Sequence, residues 1–209
     1  MQVTTISVGE AVARARRLAD GGGRRLLGIT GPPGSGKSTL AELVADELGG
    51  RARLVGMDGF HLAQAELARL GRQDRKGALD TFDGAGYVAL LQRLGDATDD
   101  VVYAPEFRRE IEEPVNAAVA VPRDVPLVIT EGNYLLVDEG PWAQVRELLD
   151  EAWYVVQDED TRLRLLIDRH VEFGKAPDFA RDWVMRSDQR NAEVVEATQS
   201  RADALVRLS

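Results

Sequence analysis

The chain has 209 residues, 44% of them hydrophobic, and a formal net charge of −9, so it can bury a core as one domain and lacks the basic surface that nucleic-acid backbones require. It contains no cysteine, which excludes disulfides, thiolate chemistry and cysteine metal sites and fits a reducing cytoplasm. No stretch approaches the ~18 apolar residues of a membrane span, and MQVTTISVGEAVARARRLAD lacks the charged-then-apolar order of a secretory signal, so a soluble, intracellular protein is expected, and the acidic balance makes a small molecule the expected partner.

Ser7 to Asp20 has the spacing of an amphipathic helix and is closed by Gly21-Gly22-Gly23. The apolar run Leu26-Leu27-Gly28-Ile29-Thr30 predicts a central strand. Directly after it stands Gly31-Pro32-Pro33-Gly34-Ser35-Gly36-Lys37-Ser38-Thr39, a full match to G-x-x-x-x-G-K-[ST]. Its glycines let backbone N–H groups wrap an anion where a Cβ would clash. Lys37 is suited to the β- and γ-phosphates and the Ser38 hydroxyl to Mg²⁺, with a helix N-terminus behind them. The order strand, loop, helix predicts a bound nucleoside triphosphate.

Further along, Leu40, Leu43, Val44 and Leu48 repeat at helical spacing until Gly49-Gly50. Arg53 to Met57 predicts a short strand ending at Asp58. Leu62 to Leu70 and Tyr87 to Leu94 predict helices on either side of the polar stretch Gly71 to Gly86. Val101 to Tyr103 and Ala117 to Val121 are weaker strand signals, and Pro126 to Thr130 predicts a buried strand ending at Glu131. A helix at Val145 to Leu149, a strand at Ala152 to Val156, a helix at Glu159 to Phe173, a mostly helical Asp178 to Ala202 and a last strand at Ala204 to Leu208 complete the chain.

This alternation predicts a single α/β domain over 1–209 in three layers. Its sheet is mostly parallel and five-stranded, with helices on both faces and a small helical lid at about 160–177. Ligands collect at the carboxyl ends of such strands, so Gly31, Asp58 and Glu131 are expected to converge on one crevice. In Gly56-Met57-Asp58-Gly59-Phe60-His61, Asp58 either accepts a proton from an attacking hydroxyl or caps a turn. His61 is open between substrate contact, packing and exposure. Glu131 is the best strand-end carboxylate for Mg²⁺, its alternative being a turn cap. Arg162 and Arg169 share a helical face, either aimed at phosphates from a closing lid hinged near Gly174 or solvated beside Asp160 and Asp168.

The phosphate loop, the MDGFH segment and ITEGNYLL together resemble the P-loop kinases of the phosphoribulokinase, uridine kinase and bacterial pantothenate kinase group, over about Leu26 to Leu208. Asp58-Gly59-Phe60, Arg75-Lys76-Gly77 and Phe82-Asp83 are most similar to pantothenate kinase. Its acceptor-holding Tyr-Ser-His, however, is here Tyr103-Ala104-Pro105, which predicts that pantothenate is a poor substrate. The whole looks most like small nucleoside/nucleotide kinase-like or sugar-transport-associated kinases. The resemblance implies transfer of the ATP γ-phosphoryl group to a hydroxyl of a sugar, polyol, nucleoside or pantothenate-like acceptor, with Mg²⁺, in a cytoplasmic and possibly homodimeric enzyme. It makes Asp58, Lys37 and Arg169 catalytic, Arg162 and the phosphate loop nucleotide-binding, and Asp58, His61, Tyr103, Arg108 and Glu131 substrate-binding, with Phe107 and Arg109 beside them. Ser38 and Glu131 would hold the metal. A regulatory NTPase that hydrolyses ATP or GTP without a small-molecule acceptor shares the phosphate loop and is the alternative.

Overall fold

A computed structural model describes residues 3–208. Its strands are β1 (Thr4–Ile6), β2 (Arg25–Thr30), β3 (Ala52–Gly56), β4 (Val101–Arg108), β5 (Glu113–Pro122), β6 (Leu127–Gly132), β7 (Glu151–Val156) and β8 (Ala204–Arg207). Six of them form a parallel sheet in the order β1-β8-β7-β2-β6-β3, while β4 and β5 pair antiparallel as a separate hairpin. The central strands are apolar on both sides because both faces are covered: Leu27, Ile29, Leu127 and Ile129 point into one core and Leu26, Val55 and Val128 into the other.

All five expected strands are present, and β1 adds a sixth at the edge, too short and polar at Thr4 and Thr5 to stand out in the sequence. Glu131 falls inside β6, where it lies opposite Gly56 of β3, rather than just beyond the strand. The two weak strand signals become the off-sheet hairpin.

Among the described residues, eight α-helices surround the sheet: α1 (Val8–Asp20), α2 (Lys37–Leu48), α3 (Gln64–Leu70), α4 (Gly84–Asp96), α5 (Val145–Leu148), α6 (Glu159–Glu172), α7 (Pro177–Trp183) and α8 (Gln189–Glu196). Ser7 caps α1, with its side chain accepting from the Glu10 N–H while Glu10 accepts from the Ser7 N–H, and this fixes where the amphipathic stripe begins. Helix α2 starts at Lys37, so the phosphate loop opens directly onto a helix N-terminus. Helix α6 ends at Phe173 and Gly174, the latter in the left-handed region, which reverses the chain into α7. A five-residue π segment, Val184–Asp188, joins α7 to α8 and interrupts the helix expected from Asp178 onward.

Candidate active site

The phosphate loop packs at the end of β2 and is held from outside. Gly36 is left-handed, with φ 85°, a conformation that a residue with a Cβ rarely adopts. Arg162, 2% exposed, reaches from α6 to donate to the Pro33 carbonyl at 3.1 Å and to Gln189 Oε1 at 2.7 Å. It therefore clasps the loop backbone and ties it to α8.

Inside the loop, Lys37 is 9% exposed and, among the described residues, has no ion-pair partner within 4 Å. Burial is the main force pushing its ammonium below the usual lysine range, with Glu131 and Asp58 opposing and Arg169 adding to the repulsion. A buried cation without a counter-ion is costly, so this position is built to receive an anion. Ser35 Oγ is buried without a hydrogen-bond partner in the same loop. The loop thus fits a triphosphate.

Ser38 Oγ donates to Glu131 Oε2 at 3.2 Å, which brings a hydroxyl and a carboxylate together at the mouth of the loop. Burial and then the neighbouring Asp58 charge push the Glu131 carboxyl above the usual glutamate range, against the pull of Lys37. Among the described residues there is no cluster of three or more His, Asp or Glu able to hold a metal alone. A hydroxyl and one carboxylate fit Mg²⁺, which keeps several waters and shares substrate phosphates.

Asp58 sits in the 3₁₀ turn Met57–Phe60, directly after β3, and its side chain remains 37% exposed toward the crevice. Gly59 is required beside it, because a Cβ there would stand 2.5 Å from the Pro105 carbonyl of the hairpin. His61 donates from Nδ1 to the Asp58 carbonyl at 2.8 Å, and its ring lies 4.0 Å from that of Phe82 and 4.9 Å from that of Phe107. Burial lowers the His61 pKa, so the ring is held as a neutral wall of the site.

Two adjoining cavities share Ser38, Asp58, Phe107 and Arg109. The larger, about 250 Å³, lies between the ends of β3 and β6 and the hairpin, and includes Glu131. The other, about 180 Å³, runs from Lys37 beneath α6 to Trp183 and Asn191, and brings Arg169 to the same crevice as Asp58. Tyr103 and Arg108 are outside both: Tyr103 is 57% exposed, and Arg108 pairs on the surface with Glu106 at 2.8 Å. Phe107 and Arg109 line the cavities in their stead. Three further wall residues, Asn133, Lys175 and Asp188, were not singled out from the sequence; only Asn133, two residues beyond Glu131, carried a positional signal.

A phosphate-binding loop at a parallel strand end, faced by a second strand-end carboxylate and covered by an arginine-bearing helix, defines an ATP-dependent phosphotransferase of the P-loop type, acting on a hydroxyl. The chain belongs to the Phosphoribulokinase / Uridine kinase family, whose model matches residues 26–208. A candidate uridine kinase of Schizosaccharomyces pombe is 31% identical over 212 residues, covering 96% of this chain and 90% of that one. An ATP-dependent kinase-like protein of Aspergillus versicolor is 39% identical over 131 residues, covering 59% of this chain and 76% of that one. Among solved structures, a candidate fructose transport system kinase from Silicibacter sp. TM1040 superposes with a TM-score of 0.86 at 30% identity, covering 98% of this chain and all of that one. No helix among the described residues is long and apolar enough to cross a membrane.

Proposed function

We propose that this kinase moves the γ-phosphoryl group of ATP to a hydroxyl of a small metabolite bound beneath α6, with Asp58 as the base. The observation that carries the reading is the joint position of Asp58: its carboxylate opens onto the same cavity as Lys37 and Arg169, with an aromatic wall beyond it. Lys37 neutralises the β- and γ-phosphates. Arg169, whose pKa is lowered by burial and by the nearby Arg109, meets the transferring group. Arg109 arrives from the hairpin turn and lies over Phe173 at the end of α6, 5.6 Å from the ring centroid, so the hairpin and the end of α6 are in contact beside the site. Ser38 and Glu131 would hold Mg²⁺, which when bound offsets phosphate charge.

Asp58 accepts the hydroxyl proton as the oxygen attacks phosphorus, and ADP leaves. An acceptor screen followed by ADP formation and product mass spectrometry tests this. A phosphorylated acceptor is expected. Free phosphate as the only product would make the chain a hydrolytic NTPase, and no turnover at all would remove the catalytic reading.

A further inference from the structure

The cavity beneath α6 holds more cationic side chains than the transferred phosphates use. Lys37, Lys76, Arg109, Arg169 and Lys175 line it against the carboxylates Asp58, Glu112 and Asp188, in a chain whose net charge is −9. Lys76 is engaged, donating to the Glu112 carbonyl at 2.6 Å with the Glu112 carboxylate 3.5 Å away. Lys175 is not. Its Nζ donates to His170 Nδ1 at 3.0 Å and lies 4.7 Å from the centroid of the Trp183 ring. Among the described residues no carboxylate comes within ion-pair distance of it.

Asp188 would be the natural counter-ion, yet it is taken. Because Lys175 donates to Nδ1, the His170 proton must sit on Nε2, and that N–H donates to Asp188 Oδ2 at 2.8 Å. Asp188 is carried by the π segment and thus spends its charge on a histidine. Burial, Arg169 and Lys76 all bear against the Lys175 ammonium, only partly offset by Asp188 and Glu112. A half-buried cation without a counter-ion, in a cavity where five cationic side chains face three carboxylates, describes a site for a molecule that bears an anionic group.

We infer that the phosphoryl acceptor is an anionic hydroxy compound, a hydroxy acid or a sugar phosphate, whose carboxylate or phosphate pairs with Lys175 while its reacting hydroxyl faces Asp58. This rests on the kinase reading above and narrows its acceptor. Cation–π contact with Trp183 keeps the ammonium on the cavity wall when the site is empty, and an anion replaces that weak contact with a charge-assisted one.

The test uses acceptor pairs that differ in the anion: glycerate and glycerol, gluconate and glucose, fructose 6-phosphate and fructose. The anionic member is expected to have at least tenfold higher kcat/KM in any pair that is turned over. Lys175→Gln should abolish that preference through KM, and Lys175→Arg should restore part of it. Equal or better turnover of the neutral members overturns the inference and leaves the kinase reading intact. A second arm titrates inorganic phosphate into protein saturated with Mg²⁺ and a non-hydrolysable ATP analogue, reading Trp183 fluorescence, with Trp183→Phe to assign the signal. A saturable change lost in Lys175→Gln supports the inference even if no acceptor in the panel is phosphorylated; no such change overturns it. Weakened ATP-analogue affinity in Lys175→Gln would assign the lysine to the triphosphate and also overturn it.

Discussion

Lys37 and Asp58 divide the work of the site between binding and proton transfer, and substitution separates them. Lys37→Ala removes a point charge from the phosphates before and during transfer, so calorimetry should show weaker ATP binding and rate assays a loss of turnover of about a hundredfold or more. Asp58→Asn keeps shape and most nucleotide affinity while kcat falls by on the order of a hundredfold, the usual range for a lost general base. A variant at Asp58 with unchanged kcat would reduce that residue to a turn cap. Glu131 makes a prediction about pH. Its carboxyl pKa is raised in the folded protein, so the folded state holds the proton more tightly than the unfolded chain. The resulting stability is fully present below the unfolded carboxyl range and disappears as pH rises through the folded pKa. Urea midpoints of nucleotide-free protein, referenced to Glu131→Gln, should therefore decline with rising pH across that window, and a flat difference would contradict the burial argument.

At the scale of elements, the contact between α6 and the phosphate loop is the one most open to test. Removing the guanidinium in Arg162→Met leaves the Pro33 carbonyl and Gln189 without their donor, which costs about 1–3 kcal/mol and should raise the KM for ATP more than it lowers kcat. Thermal melts and steady-state kinetics check both halves. The sequence made this helix, its basic face and its end at Gly174 visible, because capping and helical spacing are local properties. It did not show whether Arg162 would face the ligand or the loop, since that depends on how α6 rotates against Pro33. The hairpin illustrates the same limit. A register shift between Ala104 and Glu106 changes the phase of alternation, so Ala104 and Phe107 turn inward while Tyr103 and Arg108 turn out. Period-two reasoning through that point selects the wrong side chains. The meeting of Lys175, His170 and Asp188 was likewise hidden, because it requires a π segment that no residue pattern in Val184–Asp188 announces.

For the molecule as a whole, β8 lies between β1 and β7, so a four-residue strand late in the chain is internal to the sheet, with Ala204 and Val206 fully buried. Shortening the protein after Asp203 strips β1 of its partner and exposes the edge of β7. Circular dichroism should then show loss of a single cooperative melt, whereas an unchanged transition would mean that β8 is ornamental. The parallel sheet was legible from its apolar runs; the adjacency of its first and last strands was not, because strand order depends on long-range pairing that no local pattern encodes.

The end of that last strand also touches the phosphate loop: a Cβ on Gly36 would stand 2.4 Å from Leu208 Cδ1. On the ribosome, residues 204–208 emerge after every other described part of the nucleotide site, and until they do the loop lacks its backing and β1 its neighbour. Phosphate loop and β8 thus form one folding unit, and ATP binding is expected to follow the docking of β8 rather than precede it.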